Sequence, residues 1–191
     1  MINKEKFVKY ADLLQEWAPR VNLVAPSTLT DINMRHVMDS AQLADVLPQD
    51  VQLIDLGSGA GFPGVVLAVM GWSVTCVESI GKKANFLNLL KQELDLPNLA
   101  IYHGRVEDFI KSQKLNKSEL IITARAFAPL YKILDYVHPV KSRLFLLKGR
   151  DVAVEIAVAQ QRYKFDYRLM PSKTGDGFIV QIENIKLFHA K

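Results

Sequence analysis

The sequence predicts an α/β protein: a mostly parallel β-sheet with helices on both faces and one late antiparallel strand. Three observations predict it. Apolar stretches of strand length recur from residue 51 onward, with helical patterns between them. The first stretch, Leu53-Ile54-Asp55-Leu56, runs straight into Gly57-Ser58-Gly59-Ala60-Gly61-Phe62-Pro63-Gly64. A second acid, Glu78, stands 21 residues after Gly57, at the end of the next apolar stretch. Strand, glycine loop, helix and strand-end acid together describe a site for a nucleotide-like ligand at the carboxyl ends of a parallel sheet.

The elements follow in order. Phe7, Tyr10, Leu14 and Trp17 recur at helical spacing over residues 4–17, and Pro19 ends that helix. Thr28-x-x-Asp31 has the form of a capping box with Asp in place of Glu. It predicts a second helix to about Leu47, with Ile32, Val37, Ala41, Ala44 and Leu47 on one face. Pro48-Gln49-Asp50 is a turn. Strands are expected near 51–56, 72–78, 98–103, 119–124 and 143–148, and helices near 63–70, 82–95, 106–112, 129–138 and 151–160. Two last strands, 162–170 and 177–187, flank the segment Pro171–Gly177, which is short enough for a hairpin and is expected to be the most mobile part. The expected organisation is a helical extension, 1–48, on a sheet domain, 49–191.

The length of 191 residues suits one domain with an appended element. Hydrophobic residues make up 49 % and charged residues 23 %, as in ordinary globular proteins. No apolar run approaches the ~20 residues that span a bilayer. The polar start, Met1 to Lys6, leads into no apolar core, so no secretory signal is expected. One cysteine, Cys76, excludes an internal disulfide, fits a reducing cytoplasm and is expected to be buried. No His- or Cys-rich ligand spacing occurs, so no metal is expected. The net charge is +4. Residues 141–173 hold eight Lys/Arg against three acids, a difference of +5, which is either an ordinary solvated face or a footprint for phosphates.

The glycine loop satisfies two patterns. Gly59-x-Gly61-x-x-Gly64 is formally dinucleotide-like, and Gly57-x-Gly59-x-Gly61 is a looser form. Asp55 argues against a dinucleotide, because a carboxylate there would face a pyrophosphate at short range. S-adenosylmethionine has no phosphate and carries two cationic groups, which an acid suits. Glu78 can then accept from both ribose hydroxyls. Glu107 or Asp108, after the third strand, can accept from an adenine amine, or can simply favour a helix start.

The chemistry is narrowed by what is missing. There is no Pro-Cys nucleophile. Thr123-Ala124-Arg125-Ala126-Phe127-Ala128-Pro129 lacks the Asn/Asp-Pro-Pro-aromatic motif that grips an exocyclic amine. An acceptor that needs no deprotonation, such as guanine N7, asks least of such a site. Arg125 sits at a strand's carboxyl end, where its planar fork can meet guanine O6 or a phosphate, or pair with a nearby acid. Lys148 occupies the equivalent rim position. Lys82 and Lys83 start a helix, where cations oppose the helix dipole, which suggests a phosphate partner. Arg35, His36, Asp39 and Ser40 form a polar cluster in which Arg35 and Asp39 can pair.

These residues resemble a known family. Asn22-Leu23, Arg35-His36-x-x-Asp39-Ser40, the run from Ile54 to Gly64, Glu78-Ser79-x-x-Lys82-Lys83-x-x-Phe86-Leu87, Arg105-Val106-Glu107-Asp108 and Arg125-Ala126-Phe127 occur in this order. The chain resembles the bacterial glucose-inhibited division protein B family, the 16S ribosomal RNA guanine-N7 methyltransferases, from about residue 22 to about 150. The resemblance implies a Rossmann-like class I S-adenosylmethionine-dependent methyltransferase fold. It implies cofactor contacts from Gly57, Phe62, Val106, Glu107 and Arg125, beside those expected from Asp55, Ser58, Gly59, Gly61 and Glu78 on the residues themselves. It implies that the helix with Arg35, His36 and Asp39 helps form the catalytic cleft, in which the strand-end residues Arg125 and Lys148 are also expected to act. The expected partner is 16S rRNA, within a small ribosomal subunit or an assembly intermediate, and the expected state is a cytoplasmic monomer. Ala124 stands where many relatives have Ser or Asn, and Ser58 where many have Thr. A small-molecule methyltransferase, a nicotinamide-dependent oxidoreductase and a non-catalytic RNA-binding protein are the alternatives.

Overall fold

The computed structural model describes residues 3–25, 32–113 and 118–188. Among these residues, seven strands form one sheet: β1 (Gln52–Leu56), β2 (Ser73–Glu78), β3 (Leu99–His103), β4 (Leu120–Arg125), β5 (Ser142–Lys148), β6 (Tyr163–Pro171) and β7 (Phe178–Leu187). Their order is β3-β2-β1-β4-β5-β7-β6. β1 to β5 pair in parallel, and β7 is antiparallel to both β5 and β6. The expected α/β class and the late antiparallel strand are both present.

The chain turns from β1 to β2 and β3 on one side, then crosses to β4 and β5 on the other. The carboxyl ends of β1 and β4 therefore border a crevice where the winding reverses, and parallel sheets bind ligands at such points. Asp55 pairs in register with Thr123, so Arg125 comes just beyond it at the end of β4. Because β6 runs the same way as β5, the turn after Pro171 emerges at this edge too. Lys148 and Pro171 both face Phe178 in register.

Helices cover both faces. α1 (Lys4–Trp17), α3 (Gly64–Val69) and α4 (Gly81–Glu93) lie on one side, and α5 (Val106–Gln113), α6 (Leu130–Val137) and α7 (Val152–Gln160) on the other. Strand alternation sorts the core: Leu53 packs with Tyr10, Leu14 and Phe86, while Ile54 and Leu56 pack with Ile133 and Ile156. Cys76 is fully buried. α1 is tied to the end of α4 by Lys6 Nζ and Lys9 Nζ, which donate to the carbonyls of Asp95 and Glu93.

The second helical segment, α2, differs from the uniform helix expected. It is wide-pitched over Asn33–Met38, α-helical over Asp39–Ala41 and tight over Gln42–Asp45. Ser40 Oγ donates to the His36 carbonyl at 2.7 Å, a back-bond that competes with regular helix pairing. Wide turns of this kind often carry functional residues. The capping box at Thr28 and Asp31 and the side chain of Arg35 lie outside the described residues.

Candidate functional site

The glycine loop leaves β1 as a tight turn against β2. The Gly57 amide donates to the Val77 carbonyl at 2.9 Å, and Gly57 takes φ 67°. The residue facing it is Phe127, whose ring lies where a Cβ at position 57 would stand. Ser58 is buried, and its hydroxyl donates back to the Asp55 carbonyl at 2.9 Å. Gly61, at φ 102°, lies against Tyr10 and Val65, whose atoms would be 2.6 Å from an added Cβ. Above Gly59 the space is open, with nothing nearer to an added Cβ than the Gly57 carbonyl at 3.8 Å.

Asp55 has no exposed surface. Its carboxylate accepts from the Gly64 amide at 3.1 Å, at the start of α3, and from the Thr123 hydroxyl at 3.4 Å. Burial pushes its pKa up to about 6 against those hydrogen bonds, which favour the charged form. Its geometry is that of a brace beneath the loop, with the carboxylate turned to the protein rather than to open space.

Glu78 closes the other side. One carboxylate oxygen accepts from Gly59 and the other from Ile80, both at 2.8 Å. Each oxygen keeps a second lone pair for a ligand hydroxyl. Val106 is buried at the start of α5, and Glu107 pairs with exposed Arg105 at 3.2 Å. A hydrogen bond from its own backbone lowers the Glu107 pKa most, with Arg105 adding to it.

Arg125 joins α2 to the loop. Its Nη1 is 3.1 Å from Asp39 Oδ2, and its Nη2 is 2.7 Å from His36 Nδ1. Arginine only donates, so Nδ1 of His36 is the acceptor and the ring is held without a proton there. The guanidinium lies 4.9 Å from the centre of the Phe62 ring. His36 and Tyr10 both stack on Phe62, at 4.9 and 5.2 Å between ring centres, and the Tyr10 hydroxyl donates to the Ala60 carbonyl at 2.6 Å. Directly after Arg125, Ala126 takes φ 50°, a region side-chain-bearing residues rarely adopt, and Phe127 turns back over Gly57.

A cleft of about 1200 Å³ opens on the β4–β5 side, lined by His36, Asp39, Arg125, Phe127, Lys148, Glu155 and the loop from Ser172 to Phe178. The glycine loop and Glu78 lie outside it. Thus the residues singled out from the sequence form two compartments, with Arg125 and Phe127 at their junction. Lys148 donates to the Ala128 carbonyl and to Glu155, both at 2.7 Å, and Glu155 also accepts from the Leu130 amide, so this cation is held inward at the start of α6.

Six of the eight cations of 141–173 have acidic partners: Lys141 and Arg143 with Glu119, Lys148 with Glu155, Arg150 with Asp176, Arg162 with Asp135 and Lys173 with Asp45. Most of those acids come from outside the segment, which is why the local charge count overstates the field. Lys82 and Lys83 fall in the first turn of α4, which contains no acid.

The turn after β6, expected to be mobile, is docked. Thr174 Oγ1 donates to Asp39 Oδ1 at 2.9 Å, and Gln42 bonds both to that carboxylate and to the turn. Gln42 and Thr174, the stacking of Tyr10 on Phe62 and the covering role of Phe127 carry no sequence signal of their own. Among the described residues, no group of three His, Cys, Asp or Glu can hold a metal ion, and no helix is long and apolar enough to cross a membrane.

A protein-family model described as rRNA small subunit methyltransferase G matches residues 3–174. This extends the resemblance beyond the 22–150 expected, at both ends. The relative from Hyphomonas neptunium is 40 % identical over 93 % of this chain and 86 % of its own length. The one from Rhodopseudomonas palustris is 41 % identical over 93 % and 82 %, and the one from Bartonella tribocorum 35 % over 96 % and 89 %. All three are named ribosomal RNA small subunit methyltransferase G. Among solved structures, a SAM dependent methyltransferase from Aquifex aeolicus superposes with a TM-score of 0.58 at 14 % identity, covering 85 % of this chain and 95 % of that one. An rRNA methylase from Streptococcus thermophilus gives 0.51 at 19 %, covering 76 % and 93 %. At such identities these two speak for the fold, which is that of class I methyltransferases.

Proposed function

The chain belongs to the rRNA small subunit methyltransferase G family, and on that footing we propose that it transfers a methyl group from S-adenosylmethionine to N7 of one guanine in 16S ribosomal RNA. The observation that carries this reading is Arg125, which stands on Phe62 of the glycine loop and also lines the cleft.

The residues fit the cofactor. The open space above Gly59 admits a close approach to the backbone, and Glu78 has lone pairs left for a ribose diol. Glu107 and the start of α5 suit the adenine edge. Asp55 supports the loop through Gly64 and makes the environment negative when ionised. When bound, S-adenosylmethionine supplies an electrophilic methyl group on a sulfonium.

Guanine N7 attacks with a lone pair and loses no proton, so no general base is required. Arg125 orients the base through O6 or an adjacent phosphate. The methylated guanine is cationic, and an unpaired arginine beside it would oppose the product. Asp39 offsets that charge at 3.1 Å. His36 fixes the second guanidinium nitrogen, and Arg35, one residue before it in sequence, is assigned to RNA contact on the family resemblance alone. Lys148, paired with Glu155, shapes the cleft wall, and Lys82 and Lys83 offer phosphate contacts at the rim. The protein works in the cytoplasm as a monomer on a small ribosomal subunit or its assembly intermediate.

The test is incubation with labelled S-adenosylmethionine and undermethylated 30S subunits or 16S RNA, followed by nuclease digestion and mass spectrometry. N7-methylguanosine at a single site is expected. Absence of transfer to either RNA substrate, with cofactor bound, would move the activity to a small-molecule acceptor.

A further inference from the structure

We propose that Thr174 and Gln42 are positioning residues that hold Asp39, and through it Arg125, in working geometry, so that the turn after β6 forms part of the catalytic apparatus. This rests on the methyltransferase reading above.

The Asp39 carboxylate is a node between three parts of the chain. Oδ2 receives Arg125 from the end of β4 at 3.1 Å. Oδ1 receives Thr174 from the β6–β7 turn and Gln42 from its own helix, both at 2.9 Å. Gln42 is buried, and its other end accepts from the Lys173 amide at 2.9 Å. Its amide nitrogen also lies 3.1 Å from Ser172 Oγ. Within the turn, Ser172 Oγ accepts from the Thr174 amide at 3.1 Å, and the Ser172 amide donates to the Gly177 carbonyl at 2.9 Å. Outside it, Lys173 Nζ meets Asp45 at 2.8 Å.

A carboxylate with only Arg125 as partner can rotate about its χ angles and carry the guanidinium with it. Two donors on Oδ1 remove that freedom, and hydrogen bonds to a charged acceptor are the stronger kind. The same turn lines the cleft, so anything that seats in the cleft against residues 172–177 bears on Asp39 and thereby on Arg125. A surface turn with no such duty would not need a buried glutamine and a threonine 132 residues apart to fasten it to one carboxylate.

The test compares Thr174→Val, which keeps the shape and loses the hydroxyl, with Thr174→Ser, which keeps it. With 30S or 16S substrate, Thr174→Val is expected to lower kcat about tenfold while KM for S-adenosylmethionine changes less than about twofold, and Thr174→Ser is expected to restore most of the rate. On an Asp39→Ala background, Thr174→Val is expected to have no further effect. A Thr174→Val enzyme at wild-type kcat, a Thr174→Ser enzyme equally slow, or additive losses would overturn the proposal. Wild-type protein that methylates no RNA would instead overturn the ribosomal RNA reading. The hold of Thr174 on Asp39 is then read by hydrogen exchange: Thr174→Val should speed exchange at 39–45 and 172–177 and leave the core strands unchanged, and unaltered exchange at those segments would reject it.

Discussion

Asp39 and Arg125, 86 residues apart in sequence, meet at 3.1 Å with both side chains mostly shielded from solvent. The pair binds the second helical segment to the carboxyl end of β4. Arg125 reaches His36 with its other terminal nitrogen and covers Phe62 with one face, so the position and plane of the guanidinium are both specified. Arg125→Lys keeps the charge and loses the fork. Methylation is expected to fall about 100-fold, the scale seen when one preorganised donor is removed, with the melting temperature nearly unchanged. A lysine variant at wild-type turnover would take Arg125 out of the active site.

Glu78 makes its own test of the cofactor assignment. Its two oxygens receive Gly59 and Ile80, and glutamine would turn an NH₂ donor toward one of those amides. Glu78→Gln is expected to weaken S-adenosylmethionine binding at least about tenfold by calorimetry, since a charged acceptor and a loop anchor are lost together. Unchanged affinity would remove Glu78 from the site.

Gly57 and Phe127 form a second coupled pair. Gly57→Ala places a side chain at φ 67°, which costs about 1–2 kcal/mol, and drives the Cβ into the Phe127 ring. Gly71, at φ 109°, would meet nothing within 4 Å, so Gly71→Ala carries backbone strain alone. Urea unfolding should show the larger loss for Gly57→Ala, and Phe127→Ala in the same chain should recover part of it. Equal losses at 57 and 71 would mean that the ring gives way freely.

Asp55 gives a pH signature. Burial raises its pKa from 3.8 to about 6, so the folded protein holds this proton more tightly than the unfolded chain. Stability from this group is therefore full below pH 3.8, falls as pH rises through about 6 and stays low above it, by ~3 kcal/mol. Asp55→Asn does not titrate. Its stability relative to wild type should improve from pH 4 to pH 7 in urea titrations, while cofactor binding weakens. A difference that does not vary with pH would show that Asp55 keeps an ordinary pKa.

Much of the site was legible as local pattern. Asp55, the glycines and Glu78 announce themselves because strand ends, tight turns and the next strand follow at short, regular spacing. The expected strand ends near 56, 78 and 148 coincide with those observed. The charge reading was poorer. Residues 141–173 count as strongly basic on their own, yet Glu119, Asp135, Asp45 and Asp176 reach in from elsewhere to neutralise them. A connecting loop at 171–177 is expected to be mobile, yet Ser172, Lys173 and Thr174 provide the hydroxyls and the amide that dock it.

What the sequence by itself determined is the alternation of strands and helices, the loop and its flanking acids, and Arg125 at a strand end. These follow from a two-residue side-chain period, helical spacing and the φ angles open to glycine, all properties of a few consecutive residues. Only the tertiary structure decided that Asp39, Arg125 and Thr174 share one carboxylate, that Phe127 covers Gly57 and that Asp55 faces inward. Those contacts depend on the order β3-β2-β1-β4-β5-β7-β6, which brings distant strand ends to one edge. Strand order is chosen by the packing of whole faces against helices, and no short stretch of sequence contains that information.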